Sequence, residues 1–447
     1  MENTICIIEN LNDVKILKNQ LEDYPNLRIF TLDYSTHKIL EKNRIIHEFG
    51  ENFLNIDDKK SIDEMAVKAT LNWWKTEEIK KLVTVEKIII PEFIEMELFQ
   101  YFLSIFKNAK MILKIINDVK PNKVIAFTNL NLFLESICKN MNIKFNIFLN
   151  SEAISLHYDK INIKYNLGTI PLSITISRQR YKMIKNISEK VSQKFFALNP
   201  KKNKIEDDSI LLLEFNPTTY ETLLNELGTL GKNVYLLNQR RPAVFNKKSL
   251  EIVKKTNCKI IDLSSFEKKM KSIISTKMKL FLENLEKVWS HDNVFEKIFK
   301  IESYTLWDSI KPIFSEMCND RFVESYRRIL LLDKLFHEFK ISQILEWAET
   351  GQEEKEVLAV SKKFGIKSIM LQHSMFPISE VWKPFGRFLS LFSHEFQSEY
   401  QVIWGDLTMK YAISNGLNKE KLLITGSPRH DPFFLLEKNS KKTGKIL

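Results

Sequence analysis

ISQILEWAETGQEEKEVLAVSKKFGIKSIMLQHS, residues 341–374, decides the fold class. Its first seven residues are an apolar run with β-branched character that reads as a buried strand, and KSIMLQ (367–372) reads as a second. Gly365 stands where a helix-to-strand turn needs a residue tolerant of positive φ. Strand, helix and strand in this order describe a crossover between parallel strands. Downstream, QVIWG (401–405) and KLLITG (421–426) continue the rhythm, with Gly416 placed like Gly365. Upstream, SILLLEF (209–215), NVYLL (233–237) and CKIIDL (258–263) open it. Strands ending near Phe215, Leu237, Trp347, Gln372, Gly405 and Gly426 are therefore expected in one mostly parallel sheet.

The first 150 residues carry their own alternation. TICII (4–8), LRIFTL (27–32), EKIII (86–90), KVIAF (123–127) and KFNIFL (144–149) are its strand candidates. The fold class is thus α/β, with two Rossmann-like parallel-sheet domains. Residues 1–150 are expected to form the first, 151–205 a basic connector, and 206–440 the second, with a helical insertion at 264–339. The insertion carries aromatics such as Phe266, Trp289, Trp307 and Phe314 on amphipathic faces, a pattern that belongs to helix cores more often than to ligand boxes. The connector holds the strand-like piece INIKYNLG, a Lys/Arg-rich helix near 178–197 and a polar linker.

Composition narrows the function. The chain has 447 residues, 44% hydrophobic and 28% charged, a globular mix. Only 11 are glycine, and no two are separated by a single residue, so no G-x-G-x-x-G loop exists. Gly231-Lys232 is followed by Asn233 instead of Ser or Thr, which removes the P-loop reading. Four widely spaced cysteines read as reduced thiols, and no metal site is expected, because no H-E-x-x-H spacing occurs. Neither a signal peptide nor a membrane-length apolar run is present, so a cytoplasmic location is expected. The net charge of +11 is concentrated in residues 151–205, with 11 Lys+Arg against 3 Asp+Glu. Two readings stand side by side: attraction to phosphate, including peripheral contact with the inner face of a membrane, and a lysine-rich bias that solvates a connector. Nucleic acid is not expected, since no RNP-like strand or zinc-finger spacing accompanies the charge.

Ligands of parallel α/β sheets sit beyond the carboxyl ends of the strands, which directs attention to four loops. These are Glu346–Glu354, Gln372-His373-Ser374, Trp404-Gly405-Asp406 and Gly426-Ser427-Pro428-Arg429-His430-Asp431. LQHS (371–374), then VIWG, then LLITGSPRHD (422–431) resembles the motif series of GT-B glycosyltransferases of surface and capsular polysaccharide synthesis. That group includes polysialyltransferases and the CDP-glycerol glycerophosphotransferases. The stretch 346–374 resembles the group's acidic loop and His strand, and EFNPTTYETLLNEL with NQRRPAVF its domain opening. Ser374 departs from the pattern, which has glycine there.

The resemblance implies transfer from a nucleotide-activated sugar or polyol phosphate to a glycan or lipid-linked acceptor, without a further cofactor. It favours His373 and Glu349 as catalytic bases, with Gln372, Ser374, Gly351, Gly426, Ser427, Arg429, Asp431, Arg240 and Arg241 around the substrate. The residues by themselves admit plainer roles. His373 can bond a neighbouring carbonyl, Glu349 can be a solvated loop carboxylate, Arg429 can pair with Asp431 across a tight turn, and Arg240 and Arg241 can belong to a solvated basic loop. Residues 441–447 read as the start of a truncated C-terminal domain, so the expectation is an acceptor-side half that binds donor weakly and does not turn over. The alternatives are a non-hydrolysing nucleotide-sugar 2-epimerase and a non-catalytic scaffold of a polysaccharide assembly complex.

Overall fold

A computed structural model describes residues 3–10, 13–14, 17, 27–147, 160–167, 170–181, 183–185, 187, 208–374, 380, 385, 388 and 396–436. The described residues form two compact units. The first comprises residues 1–84, 97–158 and 280–323; the second comprises 85–96, 159–279 and 324–447.

The sheet of the first unit has strands β1 (Thr4–Ile8), β2 (Arg28–Thr31), β3 (Glu48–Phe49), β4 (Lys123–Phe127) and β5 (Lys144–Ile147). They run in the order β3-β2-β1-β4-β5, all parallel. β1 is buried at every residue, as a central strand covered on both faces must be. Beside the sheet, Trp73 is fully buried and stacks at 6.0 Å on both Trp289 and Phe322, with Phe314 edge-on at 5.3 Å. Residues 280–323 therefore belong to this core, whereas the sequence reading placed 264–339 in the second domain. Amphipathic spacing shows that a helix buries a face, but not which domain receives it.

EKIII is a second difference. Only Ile88–Ile89 is extended; it pairs with Thr84–Val85 in a two-stranded ribbon outside the main sheet, and 85–96 pack with the second unit. The place in the sheet is taken by the two-residue β3.

The second sheet contains β6 (Ser209–Leu213), β7 (Asn233–Leu237), β8 (Lys259–Ile260), β9 (Ile341–Glu346), β10 (Lys367–Leu371), β11 (Tyr400–Ile403) and β12 (Leu422–Ile424). Their order is β8-β7-β6-β9-β10-β11-β12, and every pair is parallel, so the single separate sheet expected from sequence is present. Gly365 and Gly416 take φ of +65° and +89° at the ends of the crossover helices Gln352–Lys363 and Asp406–Ser414, as turns back to a strand require.

Part of the basic segment is built into this unit. Lys160–Leu167 and Ile170–Ser177 form an antiparallel hairpin. Described residues from 178 to 187 continue as helix, with Arg178 against Glu353 at 3.2 Å and the buried Lys185 donating to the Asn238 carbonyl at 3.0 Å. The rest of the expected helix, the polar linker and residues 441–447 lie outside the described residues. Among the described residues no helix is long and apolar enough to cross a membrane.

Candidate functional site

Because all seven strands of the second sheet are parallel, their carboxyl ends share one edge. The chain leaves β6 outward to β7 and β8, then returns to β9 on the other side of β6. At such a reversal the loops after the two central strands diverge and leave a crevice. A cavity of about 600 Å³ lies there. The loop after β6 contributes Glu214, Asn216 and Tyr220; the loop after β7 contributes Arg240, Arg241 and Phe245. Trp347, His373 and Arg429 follow β9, β10 and β12, and Tyr181 of the basic segment completes the wall.

His373 sits edge-on to Trp347, with ring centroids 5.1 Å apart. Burial lowers its pKa below the ordinary imidazole value; a hydrogen bond to the Trp347 backbone opposes this, and the nearby Arg429 charge adds to it. Burial thus favours the neutral imidazole over the charged one. A ring that gives its one N–H to a carbonyl keeps a lone pair on the other nitrogen, the form a proton acceptor needs. The plain reading of this residue and the catalytic one are therefore compatible. Arg429 donates to the His373 carbonyl at 3.1 Å, and its bond is to the chain beside the imidazole instead of to Asp431. Arg241 is exposed and lines the same cavity.

Arg240 is engaged differently. Its guanidinium pairs with Glu354 and lies 3.9 Å from Glu214, with its carbon 5.7 Å from the centre of the Trp347 ring. Glu214 accepts from the backbone N–H of Gln239 and, at 3.0 Å, from that of Arg240. Burial raises the Glu214 carboxyl above its ordinary range, and it pushes Glu354 up to about 8 against the pull of Arg240. Gly351 stands at the N-cap of the helix Gln352–Lys363, where an added Cβ would meet the Glu354 carboxylate. Arg240 thus lines the cavity while paired to Glu354, and Gly351 lies outside the cavity lining, beside that pair.

Glu349 is separated from His373. It is buried, and its carboxylate accepts from the backbone N–H groups of Gln397 at 2.5 Å and Ser398 at 2.7 Å. It borders a different cavity, so the structure does not bring the two candidate bases together. Its neighbour Glu346 is also buried, accepts from Ser398 Oγ at 2.7 Å, and is raised well above the carboxylate range by burial and by Glu349.

Gln372 acts as a tie: its Oε1 accepts from the Trp404 N–H at 2.9 Å, its carbonyl accepts from Trp404 Nε1 at 2.8 Å, and its Nε2 donates to the Ser374 carbonyl at 3.2 Å. Ser374 is exposed. Gly426 takes φ +80°, Ser427 accepts the His430 N–H at 2.9 Å through its carbonyl, and Asp431 opens the short helix Asp431–Leu436. This is the tight strand-to-helix turn, and of its residues Arg429 reaches the cavity.

Glu214, Asn216 and Tyr220 are not among the expected site residues, and Trp347 stands in the Glu346–Glu354 loop without an expected role. Applying the strand-end rule to β6, and to the first residue after β9, points to all four. Among the described residues no group of three or more His, Cys, Asp or Glu is arranged to hold a metal ion. In the first unit the equivalent reversal, between β1 and β4, holds Glu9, whose carboxylate accepts from Asn108 at 2.7 Å and from Thr128 and the Asn129 N–H at 2.8 Å. That carboxylate is already satisfied by its own unit. Comparison with protein-family models, curated proteins and solved structures finds no match for this chain.

Proposed function

We propose that the chain is a GT-B-type transferase of surface polysaccharide synthesis, whose second unit receives substrate in the cavity at the β6/β9 reversal. One observation carries the reading: the imidazole of His373 shares an aromatic-walled cavity with the guanidinium groups of Arg241 and Arg429. A sugar ring fits against Trp347 or Tyr220, and a phosphate or carboxylate fits the two arginines. His373 then takes the proton of an attacking hydroxyl. The donor is a nucleotide-activated sugar or polyol phosphate, and the acceptor a glycan or lipid-linked glycan. Contact of the basic segment with a lipid surface is supported by the exposure of Ile174, Met183, Ile184 and Ile187 beside its lysines and arginines.

The test is a thermal-shift panel of CMP-, CDP-, GDP- and UDP-linked sugars and CDP-glycerol on the full chain and on the Arg241→Ala/Arg429→Ala double variant. A stabilising shift in the native chain that the double variant loses supports the reading. No shift with any compound, or the same shift in both proteins, overturns it. Incubation with UDP-N-acetylglucosamine alone separates the epimerase reading, since only that reaction releases a C2 epimer without an acceptor.

A further inference from the structure

Glu214 lines the cavity of the proposed transfer, yet no step of that reading uses it. It is the residue at which β6 leaves the sheet: its N–H still donates to the Leu237 carbonyl at 3.1 Å, and its backbone is left-handed, with φ of +58°. Nine non-glycine residues take positive φ among the described residues, and of these Glu214 alone lines the cavity. Glycine would hold such a turn without strain, so a glutamate there calls for a use of its side chain.

The ladder supplies that use. Leu213 pairs with Leu237, so in a continuing parallel ladder the Gln239 N–H would donate to the Glu214 carbonyl. Here that N–H donates instead to the Glu214 carboxylate, through Oε1, which also accepts the Arg240 N–H at 3.0 Å. The side chain is only 5% exposed, and its Oε2 lies 3.9 Å from the Arg240 guanidinium. The carbonyl, released from the ladder, accepts from Trp347 Nε1 at 3.0 Å. Trp347 in turn holds His373, whose ring meets the indole edge-on at 5.1 Å and hydrogen-bonds the Trp347 backbone.

We propose that Glu214 is a positioning residue for His373: its carboxylate stands in for its own carbonyl on the loop after β7, the freed carbonyl pins the Trp347 indole, and Trp347 fixes one orientation of the imidazole. The consequence for transfer rests on His373 being the proton acceptor of the preceding section; the placement of the ring does not.

The experiment observes the ring without any reaction. The full chain, labelled with nitrogen-15 histidine, is followed by long-range proton–nitrogen correlation at alkaline pH, where imidazole is neutral. His373 is identified among the eight histidines by the signal lost in His373→Gln. A ring held to a carbonyl shows one tautomer, with its two nitrogen shifts far apart; a free ring averages two tautomers and the shifts draw together. The native chain should show one. Trp347→Phe keeps the backbone bond and an aromatic ring but offers no N–H to the Glu214 carbonyl, and Glu214→Gly returns that carbonyl to the ladder, so both should move His373 toward the mixture. Glu214→Gln keeps a side-chain oxygen for the two N–H groups and should retain the native pattern. A mixture in the native chain, or a single native tautomer in Trp347→Phe, overturns the proposal. So does a mixture in Glu214→Gln, which would trace the effect to charge instead of position. If Glu214→Gly does not fold, Trp347→Phe decides. No donor or acceptor is present in these spectra, so the functional reading can fail, by the absence of any nucleotide-sugar shift, while the tautomer result stands, or hold while the tautomers mix.

Discussion

A histidine whose ring is drawn toward neutrality by burial makes a definite kinetic statement. If His373 accepts the acceptor proton, its protonated form is inactive, so the transfer rate should fall as pH drops below the ordinary imidazole value and level off above it. His373→Ala should lower transfer by about 100-fold or more, as removal of a general base does, and should remove that acid limb. Where the native chain turns over, a progress-curve assay from pH 5 to 8 checks both, and an unchanged profile in the variant assigns the proton to another group. The position of His373 was legible because a strand end in a parallel sheet is a place fixed by pattern. That Glu349 turns away was not: three residues along a loop, side-chain direction depends on which backbone N–H groups come near, here those of Gln397 and Ser398. The same holds for Arg240, whose ion partners lie 26 and 114 residues away in the chain.

The end of β9 and the loop after it hold two carboxyl groups against each other, and this gives the element a pH signature. Glu346 is raised in the folded chain, so the native state binds a proton that the unfolded chain releases at the ordinary carboxylate value. Stability from this group is complete below that value and is lost as pH rises through the raised one. Glu346→Gln mimics the protonated form and should flatten this slope, which amounts to at most about 1.4 kcal/mol per pH unit. Urea midpoints at pH 5, 7 and 9 test it; a variant that keeps the native slope contradicts the assignment. Strands of five residues such as β1, β6 and β7 announced themselves through unbroken apolar runs. β3 did not, because two residues, Glu48 and Phe49, carry no period. EKIII was misassigned for the converse reason: an apolar run is needed equally by a ribbon and by the buried turn Ile90–Ile94 that follows it.

At the scale of the molecule, the helices between 280 and 323 stabilise the first unit through aromatic contacts about Trp73. Trp73→Ala should destabilise that unit by about 3–5 kcal/mol, the usual result of emptying a tryptophan site. Hydrogen exchange at the β4 amides, Lys123–Phe127, reads the loss; native protection there would show that the cluster is peripheral to the core. The parallel pairing of β6 with β9 carries a consequence for how the chain is born. Those two strands are separated by about 130 residues, so a ribosome adding roughly 5–20 residues per second leaves the inner margin of β6 unpaired for about 6–26 s after that strand emerges. Throughout that interval a segment that is wholly buried in the folded chain, SILLL, offers its amides to any nascent neighbour, and slower translation or lower temperature alters how long it must be shielded by a chaperone.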